Sequence, residues 1–268
     1  MGCPCTQREH WDRVAECFPD LFPAVSTQYY RRAEIALLQR AVGSFRGLRV
    51  LKLDLWNEAV NTRILHWMQA QGAEVYGLDV STVTVQRARR NASLASPPMH
   101  LVQADIRALP FQPESFDLVY TMGTIEHVPE YQAAVADIRR VLRPGGRAII
   151  GVPHLWDPFL RPVIVWALEL FDHYPYSPEK AFSWPELRCV VEAAGFDVEQ
   201  RAGILALPGI IRMADTFLFR RGIRLDGVFA LVQWPFGQLE RHWPWFGRHF
   251  GYLTVAVARK PAPGAAVP

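Results

Sequence analysis

Two aspartates that close successive apolar runs are the first residues in this chain able to do chemistry. Glu74-Val75-Tyr76-Gly77-Leu78 ends at Asp79, and His100-Leu101-Val102-Gln103-Ala104 ends at Asp105. Ligands of open α/β sheets bind beyond the carboxyl ends of the strands, where a carboxylate can accept hydrogen bonds from both hydroxyls of a ribose diol. Asp79 therefore points to a nucleoside without saying which one. Two histidines lie beyond later apolar runs, His127 after the fourth and His154 after the fifth. Imidazole titrates near neutrality, so either is a candidate general base, although a hydrogen-bonded structural histidine has the same sequence signature. A further polar group, Asp54, Asn57 and Glu58, follows the first run, Arg49-Val50-Leu51-Lys52-Leu53. It sits at a strand-to-helix turn that needs no acid for packing, and Asn57 as an N-cap explains only part of it.

These positions acquire meaning from the elements that carry them. From Leu48 to Val152 short apolar runs alternate with amphipathic stretches, the pattern of βαβ units building a parallel sheet. Strands are predicted at 49–53, 74–78, 100–104, 116–120 and 147–152, with two more at 196–200 and 252–258. A helix is predicted over 59–71 with Val60, Ile64 and Trp67 on one face, and a second begins at a Ser81 cap. A third carries Val128, Tyr131, Val135, Ile138 and Leu142 at three- and four-residue steps until Pro144-Gly145-Gly146 breaks it, and a fourth spans Trp184 to Ala194. The fold class is α/β, a Rossmann-like sheet of seven mostly parallel strands with helices on both faces. Residues 1–45 read as a helical lead-in and 46–260 as the sheet domain, with cap insertions near 154–182 and 202–250. The Pro/Ala/Gly tail at 261–268 has nothing to bury and is expected to be disordered.

Bulk properties narrow the function classes. A chain of 268 residues, half of them hydrophobic, can bury one large core. Its net charge of +3 creates no strong polyanion-binding field, so nucleic acid is not an expected partner. The four cysteines form neither a dense scaffold nor a CxxC pair, which suits a reducing cytoplasm, and Cys3 with Cys5 cannot complete a metal site. The longest apolar runs, Pro162 to Leu168 and Ala202 to Ile211, fall short of the ~20 residues of a spanning helix. The cap segments mix tryptophan with arginine, a composition that serves either a small aromatic core or peripheral contact with a membrane or an anionic, partly apolar ligand.

One run of spaced motifs is more specific than any of these. Asp105-Ile106, Leu109-Pro110-Phe111, Ser115-Phe116-Asp117-Leu118-Val119, Ile125-Glu126-His127-Val128 and Arg140-Val141-Leu142-Arg143-Pro144-Gly145-Gly146 follow one another at family-like spacing. Over roughly Leu48 to Val198 the chain resembles the class I S-adenosylmethionine-dependent methyltransferases of the type 11 group. The resemblance implies S-adenosylmethionine as cofactor and S-adenosylhomocysteine as product. It implies that Asp105 accepts from the adenine amino group while Ile106 flanks the ring. The implied cofactor-binding set is Lys52, Asp54, Asn57, Glu58, Asp79, Val80, Asp105, Ile106, Met122 and Gly123. The reaction would be methyl transfer to a small-molecule or lipid-like acceptor, with His127 or His154 as base, and Tyr29 and Tyr30 closing the lead-in helix over the cofactor.

The chain departs from the family at one place. Where the family typically reads VLDLGCGTG, the glycine positions are occupied by Asp54, Trp56 and Glu58. In one account Asp54 or Glu58 meets the α-amino cation of the cofactor, and helix-start amides near Ala59 meet its carboxylate. In the other the protein is a non-catalytic binding or scaffolding module on the same fold. A nicotinamide dehydrogenase would need a glycine-rich fingerprint after the first strand, which is absent.

Overall fold

Seven segments rich in apolar residues pair into one sheet: β1 (Arg49–Lys52), β2 (Glu74–Asp79), β3 (His100–Gln103), β4 (Phe116–Met122), β5 (Leu142–Pro153), β6 (Asp197–Ile204) and β7 (Leu253–Arg259). Their spatial order is β3-β2-β1-β4-β5-β7-β6. The first five pair in parallel, and β7 runs antiparallel to both β5 and β6. The chain therefore winds outward from β1 to β3, then returns to lay β4 on the other side of β1, so the order reverses between β1 and β4. The α/β class read from the sequence is the observed one. The computed structural model describes residues 6–93, 97–171, 174, 176 and 178–262. Cys3, Cys5 and all of the expected tail except Pro261 and Ala262 lie outside the described residues.

Side chains alternate across the strands, and the two faces build two cores. Val50, Leu118 and Ile149 face one way, meeting α2 (Val25–Val42), α4 (Ile64–Ala70) and α5 (Thr82–Ala92). Leu51, Val119 and Ile150 face the other way, meeting α6 (Tyr131–Val141) and α8 (Trp184–Ala193). Burial on both faces explains why the parallel strands read as near-continuous apolar runs.

The helix predicted over 59–71 is two helices, α3 (Trp56–Val60) and α4, with Arg63 between them at φ 52°. Long-range contacts decide the break. The Arg31 guanidinium of α2 donates to the carbonyls of Thr62 and Arg63, and the Glu58 carboxylate accepts from Leu65 N at 3.2 Å near the start of α4. Exposed N–H and C=O groups at a helix interruption need such partners. The helix expected from Val128 through Leu142 is shorter, Tyr131–Val141, because β5 already begins at Leu142 and carries Pro144-Gly145-Gly146 within it. Gly145 takes φ 79° and donates to Lys260 O, while Lys260 N donates back to Gly146 O.

The remaining helices roof the carboxyl ends of the strands. They are α1 (Gln7–Cys17), α7 (Arg161–Leu170) after β5, and α9 (Gly209–Arg220), α10 (Asp226–His242) and α11 (Pro244–Phe250) between β6 and β7. Asp12 ties α1 to the start of α5 by accepting from Ser81 Oγ at 2.7 Å and Val83 N at 3.0 Å. Ser26 ties α2 to the roof, donating its N–H to Asp215 Oδ2 and accepting from Gln233 Nε2, both at 2.7 Å.

Leu55, fully buried, leaves β1 by filling the space above Gly77 of β2. A Cβ at residue 77 would meet Leu55 Cδ2 at 2.5 Å, with Leu65 and Leu101 at 3.1 and 3.2 Å. Gly77→Ala is expected to cost about 1–3 kcal/mol by overpacking. Leu55→Ala in the same chain should recover part of that loss, and urea denaturation of the two single variants and the double variant measures the coupling.

Candidate active site

The turn after β1 is built without glycine, and its side chains take up distinct tasks. Lys52 is fully buried, with Nζ 2.8 Å from Asp54 Oδ1 and donating to Asp54 O at 2.7 Å. Burial acts to lower the Lys52 pKa, but the attraction of Asp54 and of Glu58 and Glu34 outweighs it and holds the ammonium above its ordinary range. Thr124 Oγ donates to the other Asp54 oxygen at 3.1 Å. Leu55 N donates to Asp79 Oδ2 at 2.9 Å, and Ser81 N to Asp79 Oδ1 at 2.8 Å. With Leu55 turned into the core, Trp56 turns toward the roof and meets the edges of Phe18 and Tyr176, ring centres 5.2 and 5.9 Å away.

Above this turn lies a cavity of about 540 Å³ between the sheet and the roof helices. Asp54, Asn57, Asp79, Val80, Asp105, Ile106, Met122, Gly123 and His127 line it, so the strand-end residues singled out in the sequence share one space. Tyr30 lines it as well, whereas Tyr29 packs on Gly237. Besides Tyr29, three of the singled-out residues stand elsewhere. Lys52 lies beneath the floor, paired with Asp54. Glu58 turns away to Leu65 N and to His66 Nδ1 at 3.4 Å, because the break between α3 and α4 needs an acceptor. His154 donates its backbone N–H to Tyr252 O at 2.8 Å, and its ring sits near Arg201 and His249. Burial, with Arg201, lowers its pKa. Pairing of β5 with β7 as far as Pro153 carries the chain past the cavity before His154 is reached.

The acidic floor suits a nucleoside. Each Asp79 oxygen spends one acceptor position on a backbone N–H and keeps another for a hydroxyl. Burial lifts the Asp79 carboxyl to about 6, against the pull of those two N–H groups. Asp105 instead is held below the usual carboxylate range by Arg107, whose guanidinium folds across it at 2.6 Å. Ile106 lies beside it as an apolar flank, and Gly123, at φ 77°, presents backbone without a side chain. Asp54, Trp56 and Asn57 of the glycine-free turn all stand on the cavity wall.

The roof contributes polar groups that no local pattern marks. Arg161 of α7 pairs with Glu179, a buried contact completed by Tyr174 Oη donating to Glu179 Oε2 at 2.6 Å. The Arg161 guanidinium also lies over the Tyr252 ring, 4.1 Å from its centre. Facing this pair from the end of β4 is Glu126, buried, with Oε2 lacking a hydrogen-bond partner among the described residues. Burial, reinforced by Glu179, pushes the Glu126 carboxyl well above the ordinary carboxylate range. The Ile125-Glu126-His127 motif was the only sequence signal near it, and that motif says nothing about the distant Glu179.

Comparison with known proteins adds a family to this geometry. A methyltransferase domain model matches residues 59–150, beginning just past the altered turn. Demethylmenaquinone methyltransferase of Thermus thermophilus is 30% identical over 162 residues, 54% of this chain and 74% of that protein. The protein of the same name from Clavibacter sepedonicus is 31% identical over 188 residues, 63% of this chain and 75% of that one. A methyltransferase solved with the Trm112 activator of Haloferax volcanii shares the fold, with a TM-score of 0.64 at 18% identity, over 97% of this chain and 100% of that one. With an acidic strand-end floor, the strand order of the sheet and relatives aligned along most of their length, the chain belongs to the class I S-adenosylmethionine-dependent methyltransferases.

Proposed function

We propose that this chain transfers the methyl group of S-adenosylmethionine to a small, lipid-like acceptor held between the sheet and the roof helices. The observation that carries the reading is one continuous cavity with carboxylates on its floor and aromatic and aliphatic side chains on its roof. Asp79 holds the ribose hydroxyls, Asp105 and Ile106 the adenine, and Val80, Met122 and Gly123 the edge between them. Asp54 and Asn57 face the methionyl end, and Lys52 keeps Asp54 in place from below. The cofactor supplies a methyl group already activated by its sulfonium, so the protein has chiefly to align the acceptor behind it and exclude water.

Leu168 of α7 and Leu205, Leu207 and Phe217 from the β6–α9 side supply an apolar chamber for the acceptor. The names of the Thermus and Clavibacter relatives give demethylmenaquinone as theirs, and an acceptor of that class suits such a chamber. Where the acceptor must lose a proton, His127 is the imidazole on the wall. Glu126 lines the same cavity with Oε2 unpartnered among the described residues, and a hydrogen bond between it and a polar group of the acceptor fixes the acceptor's orientation.

Calorimetric titration tests the cofactor half of this reading. The purified protein should bind S-adenosylhomocysteine in the micromolar range, and Asp79→Ala with Asp105→Ala should abolish binding. A folded wild-type sample that binds neither S-adenosylmethionine nor S-adenosylhomocysteine would transfer the lead to the non-catalytic reading.

The same titration has a predicted pH dependence. Asp79 titrates near 6, and only its ionised form offers full acceptor strength to both hydroxyls. Affinity should therefore be constant above about pH 7 and fall as the pH drops through about 6. Asp79→Asn should weaken binding by about 1.5–3 kcal/mol, the usual worth of hydrogen bonds to a charged group, and remove that pH dependence.

A further inference from the structure

Among the described residues, all eighteen large apolar side chains that stand exposed lie in two stretches, Leu155 to Phe171 and Ile210 to Trp245. The sheet domain beneath contributes none. Soluble surfaces scatter such residues singly, and a concentration on one part of a molecule marks an interaction surface. Of the helices involved, α7 and α9 line the cavity, and α10 lies beside them.

Helix α7 carries apolar residues toward the cavity and away from it, its two charged residues being Arg161, paired with Glu179, and the half-buried Glu169. Arg161, Val165 and Leu168 face the cavity at helical spacing, whereas Val163, Trp166 and Leu170 form a second stripe, with Trp166 63% and Leu170 64% exposed. Helix α9 repeats the arrangement with Ile210, Met213 and Phe217 at three- and four-residue steps. Met213 and Phe217 both line the cavity and remain exposed, so this stripe runs along the cavity mouth. On α10 the outward residue Leu231 is 74% exposed. Trp234, Trp243 and Trp245 extend the apolar surface, and among the described residues no helix is long and apolar enough to cross a membrane.

Charge selects the occupant. Between Pro208 and Phe250 six arginines face three carboxylates, Asp215, Asp226 and Glu240. Asp215 is buried against Ser26, Asp226 is taken by Arg224, and Glu240 accepts from Ala206 N, so little negative charge reaches the surface. Arg221 and Arg241 have no carboxylate partner among the described residues. A second copy docked on this face by a two-fold axis would bring like charges together. An anionic lipid surface meets both the arginines and the tryptophans, whose amphipathic rings favour the headgroup level.

We infer that the outer face of α7, α9 and α10 docks on a bilayer containing anionic lipid, with the cavity mouth turned to the membrane. The acceptor would then enter from the bilayer without crossing water. That route rests on the acceptor reading given above, whereas docking itself does not.

Co-sedimentation with phosphatidylglycerol–phosphatidylcholine vesicles, against phosphatidylcholine alone and at low and high salt, tests the inference, with S-adenosylhomocysteine titrated in parallel. The protein should pellet with the anionic vesicles and lose binding as salt rises. Trp166→Glu with Leu170→Glu, neither of which lines the cavity, should weaken partitioning at least tenfold. Arg221→Glu should weaken it severalfold at low salt. Both variants should bind S-adenosylhomocysteine as the wild type does, which shows that they are folded. Wild-type protein that binds S-adenosylhomocysteine but ignores anionic vesicles would overturn the inference. So would undiminished partitioning of the double variant, or a wild-type dimer in sedimentation velocity that the double variant dissociates while neither partitions. Partitioning without S-adenosylhomocysteine binding would instead uphold docking and overturn methyl transfer.

Discussion

The site depends on how the turn after β1 holds its course without glycine. Two contacts fix it. The Asp79 carboxylate accepts from the Leu55 amide, and the Leu55 side chain occupies the space that Gly77 leaves open on β2. A glycine turn lets ligand approach by offering no side chains; here each side chain is sent somewhere definite. Leu55 goes into the core, Trp56 to the roof, and Glu58 to the start of α4. Asp79 thus serves both as a strand-end acceptor and as the anchor of the neighbouring turn.

Beneath that turn runs a buried polar layer. Lys52 pairs with Asp54, Thr124 of the β4 loop bonds the same carboxylate, and Tyr120 of β4 donates to Glu34 of α2 at 2.6 Å. Burial lifts the Glu34 carboxyl to about 7, against the pull of Thr62, Tyr120 and Lys52. Replacing such a network by apolar groups need not weaken a fold, but removing one member strands its partner's charge. Its position at the β1–β4 switch point ties the orientation of the cavity floor to the lead-in helix α2.

The roof has two sides with different chemistry. Toward the cavity it offers Arg161, Glu179 and Tyr174 as a paired cluster, with the buried Glu126 on the same cavity. Away from the cavity it is apolar and arginine-bearing. The same short helices carry both, so a substitution on α7 acts on the cavity wall or on the outer surface according to its helical phase.

The amino-acid sequence by itself determined the strands, their parallel succession and the acidic ends of β2 and β3. Each of these is local: an apolar run of fixed period, closed by a residue that cannot continue it. The Arg140 to Gly146 motif likewise ends a helix through residues that sit inside it. Only the tertiary structure decided that Glu58 caps α4, that His154 lies off the cavity and that the predicted 59–71 helix is broken at Arg63. It also decided that Arg161 and Glu179 share a cavity with Glu126, and that one stripe of α7 stays uncovered. These outcomes depend on partners tens of residues away, Arg31 for the helix break and β7 for the course of β5, and periodicity within a segment carries no information about which distant group will satisfy it.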